Sequence, residues 1–191
     1  MLKELVKQSR SYRRFYQSER ISESELKEFV ECARFAPSTV NSQAIRFIII
    51  TSEEDCAKVF DTLAWAGMLK DWQGPEEGER PSAYILLLCD LEIGKNKQYD
   101  DGICAQTIML AAAEKGYGGC ILGSIDKPEL ANRLGIDTGR YSIDLCLALG
   151  KPKEQVVLTN VGEDGSTAYY RDENGTHYVP KRTLDELIVN K

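Results

Sequence analysis

Arg10 and Arg13 stand three residues apart in the run Arg10-Ser11-Tyr12-Arg13-Arg14-Phe15, with a hydroxyl between them and an aromatic ring just beyond. Guanidinium groups are flat cations with several donors, and they grip oxygen pairs. A neighbouring hydroxyl adds one more hydrogen bond. That is the chemistry of holding a phosphate. A short basic run is more often a solvated surface, but this one interrupts an acidic chain. The net charge is -6 and the pI is near 5.0, which argues against a nucleic-acid or anionic-membrane partner.

Two further segments could do chemistry. Ala36-Pro37-Ser38-Thr39-Val40-Asn41-Ser42-Gln43 ends in two primary amides, Asn41 and Gln43, which both donate and accept; on its own the segment reads as a polar turn between helix and strand. Gly116-Tyr117-Gly118-Gly119-Cys120 offers a backbone with little side-chain bulk. It is not a dinucleotide fingerprint, because it follows a helix and opens a strand, the reverse of the order that brings a helix N-terminus to a pyrophosphate. On its own it also reads as a helix cap and tight turn.

The chain holds one histidine, His177, in a polar tail, where it reads as a surface residue. No H-E-x-x-H, no cysteine-histidine ligand set and no phosphate loop of the G-x-x-x-x-G-K-[ST] type is present. The six cysteines are scattered, with no C-x-x-C pair, and read as reduced small hydrophobes rather than a metal site. Without a nucleophile, base or metal of its own, an enzyme of this sequence must take its chemistry from an organic cofactor.

The elements that must position these residues are legible in part. Leu2, Leu5 and Val6 predict a short leading helix, and Ser22-Glu23-Ser24-Glu25 is a capping box opening a helix that Pro37 stops. Phe47–Ile50, Tyr84–Cys89, Cys120–Gly123 and Ile143–Gly150 read as strands, and Ser52 and Asp126 as caps of two more helices. Residues 70–82 lack periodicity and read as a loop long enough to be a lid. The helix from Asp100 to Lys115 is apolar nearly all round, so it must be covered on every side, one of them by a second subunit. After Lys151-Pro152 the tail is polar and glycine-rich, without an evident core of its own. Strands and helices mix irregularly in a single domain, 1–191, of α+β class. No apolar run reaches the ~18 residues of a membrane span, and the mixed-charge N-terminus is a poor signal peptide, so the expected location is cytoplasmic.

Taken together the segments resemble the FMN-dependent nitroreductase family. Arg10, Ser11, Arg13 and Phe15 match its R-S-x-R-x-F motif, and Ala36, Pro37, Ser38, Asn41 and Gln43 match A-P-S-x-x-N-x-Q. Gly116, Gly118, Cys120 and Gly123 match G-x-G-x-C-x-x-G, and Lys181-Arg182 matches a basic pair before a last short helix. Many relatives continue the second motif as Q-P-W, whereas here Ala44-Ile45 follows Gln43. The resemblance implies a nitroreductase-like fold, a mixed or antiparallel sheet flanked by helices, and a homodimer with FMN at the interface. Arg10, Ser11, Arg13, Lys181 and Arg182 would hold the phosphate, and Asn41 and Gln43 the flavin's pyrimidine edge. Gly118, Gly119 and Cys120 would lie near N5, and Pro37 and Ser38 would lie over the ring from the other subunit. Residues 152–191 would embrace the partner. The implied activity is ping-pong reduction of nitroaromatic or quinone acceptors by NADH or NADPH. A flavin-dependent dehalogenase or fragmenting enzyme, and a non-catalytic flavin sensor, are the alternatives.

Overall fold

Eight consecutive buried residues, Ala83–Asp90, form the strand on which the rest is assembled. The computed structural model describes residues 1–69, 71–94 and 99–189. Lys70, which opens the expected lid, lies outside the described residues, as do Asn190 and Lys191 at the end of the tail. In chain order the elements are α1 Leu2–Gln8, α2 Glu23–Arg34, β1 Ile45–Ile50, α3 Glu53–Phe60, β2 Ala83–Asp90, α4 Asp100–Glu114 and β3 Gly118–Leu122. Then come α5 Lys127–Leu134, β4 Tyr141–Gly150, β5 Val156–Asn160, β6 Tyr170–Arg171, β7 His177–Lys181 and α6 Leu184–Leu187.

The central sheet runs β1-β2-β4-β3 and is antiparallel throughout. Alternation along β2 sends Ile85 and Leu87 to one face, where they meet Leu26 and Phe29 of α2 and Ala105, Ile108 and Met109 of α4. Tyr84, Leu86 and Leu88 go to the other face, against Cys56 and Val59 of α3 and Leu130 and Ala131 of α5. Both faces are covered, which is why β2 reads as an unbroken apolar run. The Ser22 box forms as expected: the Glu25 N–H donates to Ser22 Oγ at 3.3 Å, and the Ser22 N–H donates to Glu25 Oε2 at 3.1 Å. All six cysteines are free, and only Cys32 is exposed.

α4 is less fully covered than its composition demands. Ile108, Met109 and Ala112 are buried in the core, yet Ile103 stays 36 % exposed, and Leu110, two turns further along the same face, is half-buried. The tail departs from expectation as well. It does have structure: a second, three-stranded sheet in the order β5-β7-β6, with β5 parallel to β7. Among the described residues no helix is long and apolar enough to cross a membrane.

Candidate functional site

The arginine segment lies along the outer edge of β3. Ser11 pairs with Gly119, the Tyr12 N–H donates to the Gly119 carbonyl at 2.9 Å, and Phe15 pairs with Pro152. Phe15 is fully buried against Gly150, where any Cβ would come within 2.8 Å of the ring. The same logic explains the expected glycines. A Cβ on Gly118 would meet Tyr12 and Pro152, and one on Gly119 would meet the Ala148 carbonyl and Leu149. Bare backbone at 118 is what allows Tyr12 to be laid against the sheet, and at 119 it lets β3 lie close to β4 beneath Met109. Cys120 beside them is buried, and burial raises its thiol above the usual range, so it stays protonated at neutral pH.

Arg10 and Arg13 differ in their surroundings. Arg10 folds back to donate from Nη2 to the Val6 carbonyl at 2.7 Å, leaving a buried Nε without an acceptor. Arg13 is only 9 % exposed. Its Nη1 donates to the Ser11 carbonyl at 3.2 Å and lies 3.4 Å from His177 Nε2, its guanidinium sits 4.9 Å from the Tyr169 ring centre, and its Nε is also unpaired. No carboxylate pairs with this cation among the described residues. Glu154, the nearest acid, accepts the Arg13 backbone N–H with one oxygen and Arg171 Nη2 with the other, at 2.9 Å.

Glu154, Tyr169, Arg171 and His177 were not expected at the site. His177 in particular is 1 % exposed rather than a surface residue. Burial, then the charges of Arg13 and Arg171, lower its pKa to about 4, so the ring is neutral. Through Tyr169 and His177 the tail is thus folded onto its own chain's arginine segment. Lys181 and Arg182 do not join Arg13 through any contact among the described residues. Lys181 ends β7, about 13 Å along the strand from His177, and Arg182 pairs with Glu186 at 3.3 Å. The loop expected as a lid is tied down at its far end. Glu79 pairs with Arg14 and with Lys153 at 2.8 Å, its carbonyl accepts the Phe15 N–H, and Trp72 lies under Arg171 at 4.3 Å.

Pro37, Ser38, Asn41 and Gln43 form a second cluster around a single 3₁₀ turn, Thr39–Asn41. Val40, Asn41 and Gln43 all have positive φ (47°, 54° and 51°), a conformation that L-residues adopt reluctantly and that concentrates at functional sites. Polar contacts hold it in place. Asp100 Oδ1, at the start of α4, accepts the Thr39 N–H at 2.9 Å and hydroxyl at 2.8 Å, and Ser38 Oγ accepts the Gln43 N–H at 3.1 Å. The Asn41 and Gln43 side chains are exposed. Beside them is a cavity of about 460 Å³ with apolar walls from Val30, Ala33, Ile45 and Phe47, and with Lys27, Arg34 and Arg46 also lining it. A wider cavity of about 770 Å³ between α5 and the start of β4 contains none of the expected residues.

The two clusters are far apart. Thr39 is bound to the first residue of α4, and Gly118 follows its last turn, a helix length of roughly 21 Å. The sheet agrees: Gly119 is level with Ala83 at one end of β2, and Ile45 with Cys89 at the other, about 20 Å along the strand. β1 and β3 are also opposite edges of that sheet. The structure brings Arg10, Ser11, Arg13 and Gly118–Cys120 together, and Pro37, Ser38, Asn41 and Gln43 together, but not the one group with the other.

Comparison with known proteins gives a consistent picture. The model of the Nitroreductase family matches residues 6–98 and 95–151. "Putative NAD(P)H nitroreductase YdgI" of Bacillus subtilis (strain 168) is 27% identical over 185 residues, covering 80% of this chain and 88% of the relative. A crystal structure of a "putative nitroreductase in complex with FMN" from Desulfovibrio desulfuricans superposes with a TM-score of 0.73 at 23% identity, covering 100% of this chain and 96% of that one. A nitroreductase family protein from Streptococcus pneumoniae TIGR4 gives 0.71 at 18% identity, with both chains covered completely.

Proposed function

The chain belongs to the nitroreductase family, and from that premise we propose that it is a homodimeric FMN-dependent oxidoreductase that carries electrons from NADH or NADPH to nitroaromatic or quinone acceptors. The observation that carries the cofactor is Arg13. A guanidinium 9 % exposed, with no carboxylate partner among the described residues and an unpaired Nε, is a buried cation lacking its anion. Such a group is costly unless a counter-charge arrives, and the FMN phosphate is the right charge and shape. Arg10, with its own unpaired Nε, and Ser11 hold the other side of the ester.

Bound FMN would supply the hydride chemistry, which agrees with a site whose Cys120 thiol stays protonated and whose His177 is buried with Nε2 against Arg13. The residues here bind and orient it. Gly118, Gly119 and Cys120 are the floor on which Ser11 is laid, and Asn41 and Gln43 present exposed amides to the ring edge. Lys181, at the end of β7, and Arg182 just beyond it are exposed rim cations. Pro37 and Ser38 close over the ring.

The second cluster is about 20 Å from the first, so it serves a second copy. A two-fold axis across the α4 faces that carry Ile103 and Leu110 would bring one chain's Pro37–Gln43 to the other chain's Arg10–Arg13, twice over. The tail beyond Lys181 supports the same assembly. Leu184, Leu187, Ile188 and Val189 are all more than half exposed beside Asp185 and Glu186, and the apolar cavity near Gln43 is lined partly by Lys27, Arg34 and Arg46.

Subunit mixing tests this directly. Arg13→Ala disables one cluster and Ser38→Trp the other, so each variant alone should bind little FMN. After unfolding and refolding together, about a quarter of the sites should be wild type in both halves, because half the dimers are mixed and each holds one intact site. Failure of the mixture to recover FMN, with both variants folded, would refute the shared site.

A further inference from the structure

Three buried side-chain nitrogens where the tail meets the arginine segment have no acceptor: Nε of Arg13, Nε of Arg171 and Nδ1 of His177. Arg171 is directly opposite His177 between β6 and β7, so their side chains share one face of that pair. Arg13 approaches the same ring, with Nη1 at 3.4 Å from His177 Nε2. An arginine can only donate, so Nε2 is the accepting nitrogen and the ring hydrogen belongs on Nδ1. That is the nitrogen left unpaired.

Charge points the same way. Glu154 accepts the Arg171 guanidinium with one oxygen and the Arg13 backbone N–H with the other, so the Arg13 guanidinium has no carboxylate partner among the described residues. Tyr169 stands 5.2 Å from the His177 ring, and Trp72 4.3 Å from the Arg171 guanidinium. They supply walls and no acceptor for these donors. Each buried donor left without a partner costs about 1–3 kcal/mol, and here three are gathered in one place.

We propose that Arg13, Arg171 and His177 form the inner wall of an oxyanion site for a phosphate monoester, so that the tail completes, within one chain, the grip begun by Arg10 and Ser11. The proposal rests on the FMN reading in taking the flavin's ester as the occupant; free phosphate shares the chemistry and is the other source. The site gives His177 and Arg171 the part that sequence alone gave to Lys181 and Arg182. A dianion offers one oxygen to each unpaired N–H and balances the excess positive charge. It also reverses the field at the ring. Burial, Arg13 and Arg171 on their own hold His177 neutral, whereas a phosphate beside Nδ1 favours the imidazolium. The charged groups around the ring are Arg13 from the N-terminal segment, Arg171 from β6 and, through Arg171, Glu154.

His177 is the only histidine, so its ring resonances are unambiguous by NMR. The full-length protein is titrated with inorganic phosphate, FMN and riboflavin, which lacks the ester. Phosphate and FMN should both move the ring signals and raise the ring's pKa, and riboflavin should leave them in place. In parallel, flavin-fluorescence titration of His177→Leu should show FMN affinity reduced roughly tenfold, about 1.4 kcal/mol, with riboflavin affinity unchanged and a partial return in His177→Gln. Equal effects of FMN and riboflavin on the ring, or parallel loss of both flavins in the variant, would overturn the site. A ring moved by phosphate in a protein that binds no flavin would support the site and refute the FMN reading. FMN bound with the ring unmoved would do the reverse. Should His177→Leu not fold, the wild-type titration decides alone.

Discussion

Replacing Glu154 by glutamine should release the tail from the arginine segment. The side chain is completely buried, and its two oxygens join the Arg13 backbone to Arg171 of β6. Glutamine keeps one acceptor and turns the other into a donor facing a donor, so only one of the two bonds can survive. A hydrogen bond involving a charged group contributes about 1.5–3 kcal/mol. Arg171, whose side chain is 16 % exposed, would also lose its carboxylate, and breaking a buried pair from one side costs about 3–5 kcal/mol. With partial solvation of Arg171 the expected loss is about 2–4 kcal/mol in urea unfolding. A double-mutant cycle with Arg171→Met should show a coupling of at least roughly 1.5 kcal/mol, since both substitutions remove the same bond. A loss below about 0.5 kcal/mol, or additivity within that margin, would refute the claim that this carboxylate fastens the tail.

Acid should weaken the fold in two separable windows. Arg14 first, and Lys153 after it, hold the Glu79 carboxyl at about 2, so its contribution is complete above about pH 4.5 and disappears as the pH falls toward 2. Glu79→Gln should flatten the pH dependence of unfolding in that range, and an unchanged slope would contradict the pairing. His177 acts at higher pH: with its pKa lowered to about 4, the unfolded chain binds a proton that the folded one refuses. Stability of the flavin-free protein should fall as the pH drops from about 6.5 toward 4, and His177→Gln should remove that limb of the melting curve. Gly119→Ala places a Cβ on the Ala148 carbonyl and 2.8 Å from Leu149 Cδ2. It should cost more than about 2 kcal/mol by forcing β3 away from β4, and a thermal midpoint within error of wild type would show that the strand has room.

The central sheet was legible because its physics is local. β2 is apolar at every position from Ala83 to Cys89, and the Ser22, Ser52 and Asp126 caps each announce a helix that forms. The tail was not legible, for the opposite reason. β7 contains Pro180, a residue that demotes a strand assignment, β6 has two residues, and β5 pairs with a strand about twenty positions away. Pairings so short and so distant leave no periodic trace. His177 looked superficial because it sits among polar neighbours; only the register opposite Arg171 turns it inward. At the site the motifs were readable one by one. Their separation was not, since neither the length of α4 nor the span of β2 between two motifs is a property of either motif. The arginine cluster and the Pro37–Gln43 cluster are neighbours as text and lie at opposite ends of the central sheet.

Whether this chain uses bound FMN as a redox cofactor is read from the absorbance spectrum of the purified protein. Reconstituted with FMN and freed of excess, it should be yellow, with about one flavin per chain, as the proposed dimer with two equivalent sites requires. Under anaerobic conditions NADH or NADPH should bleach that colour and a quinone should restore it. A protein that stays colourless after reconstitution, or holds FMN that neither nicotinamide nucleotide reduces, would contradict the account.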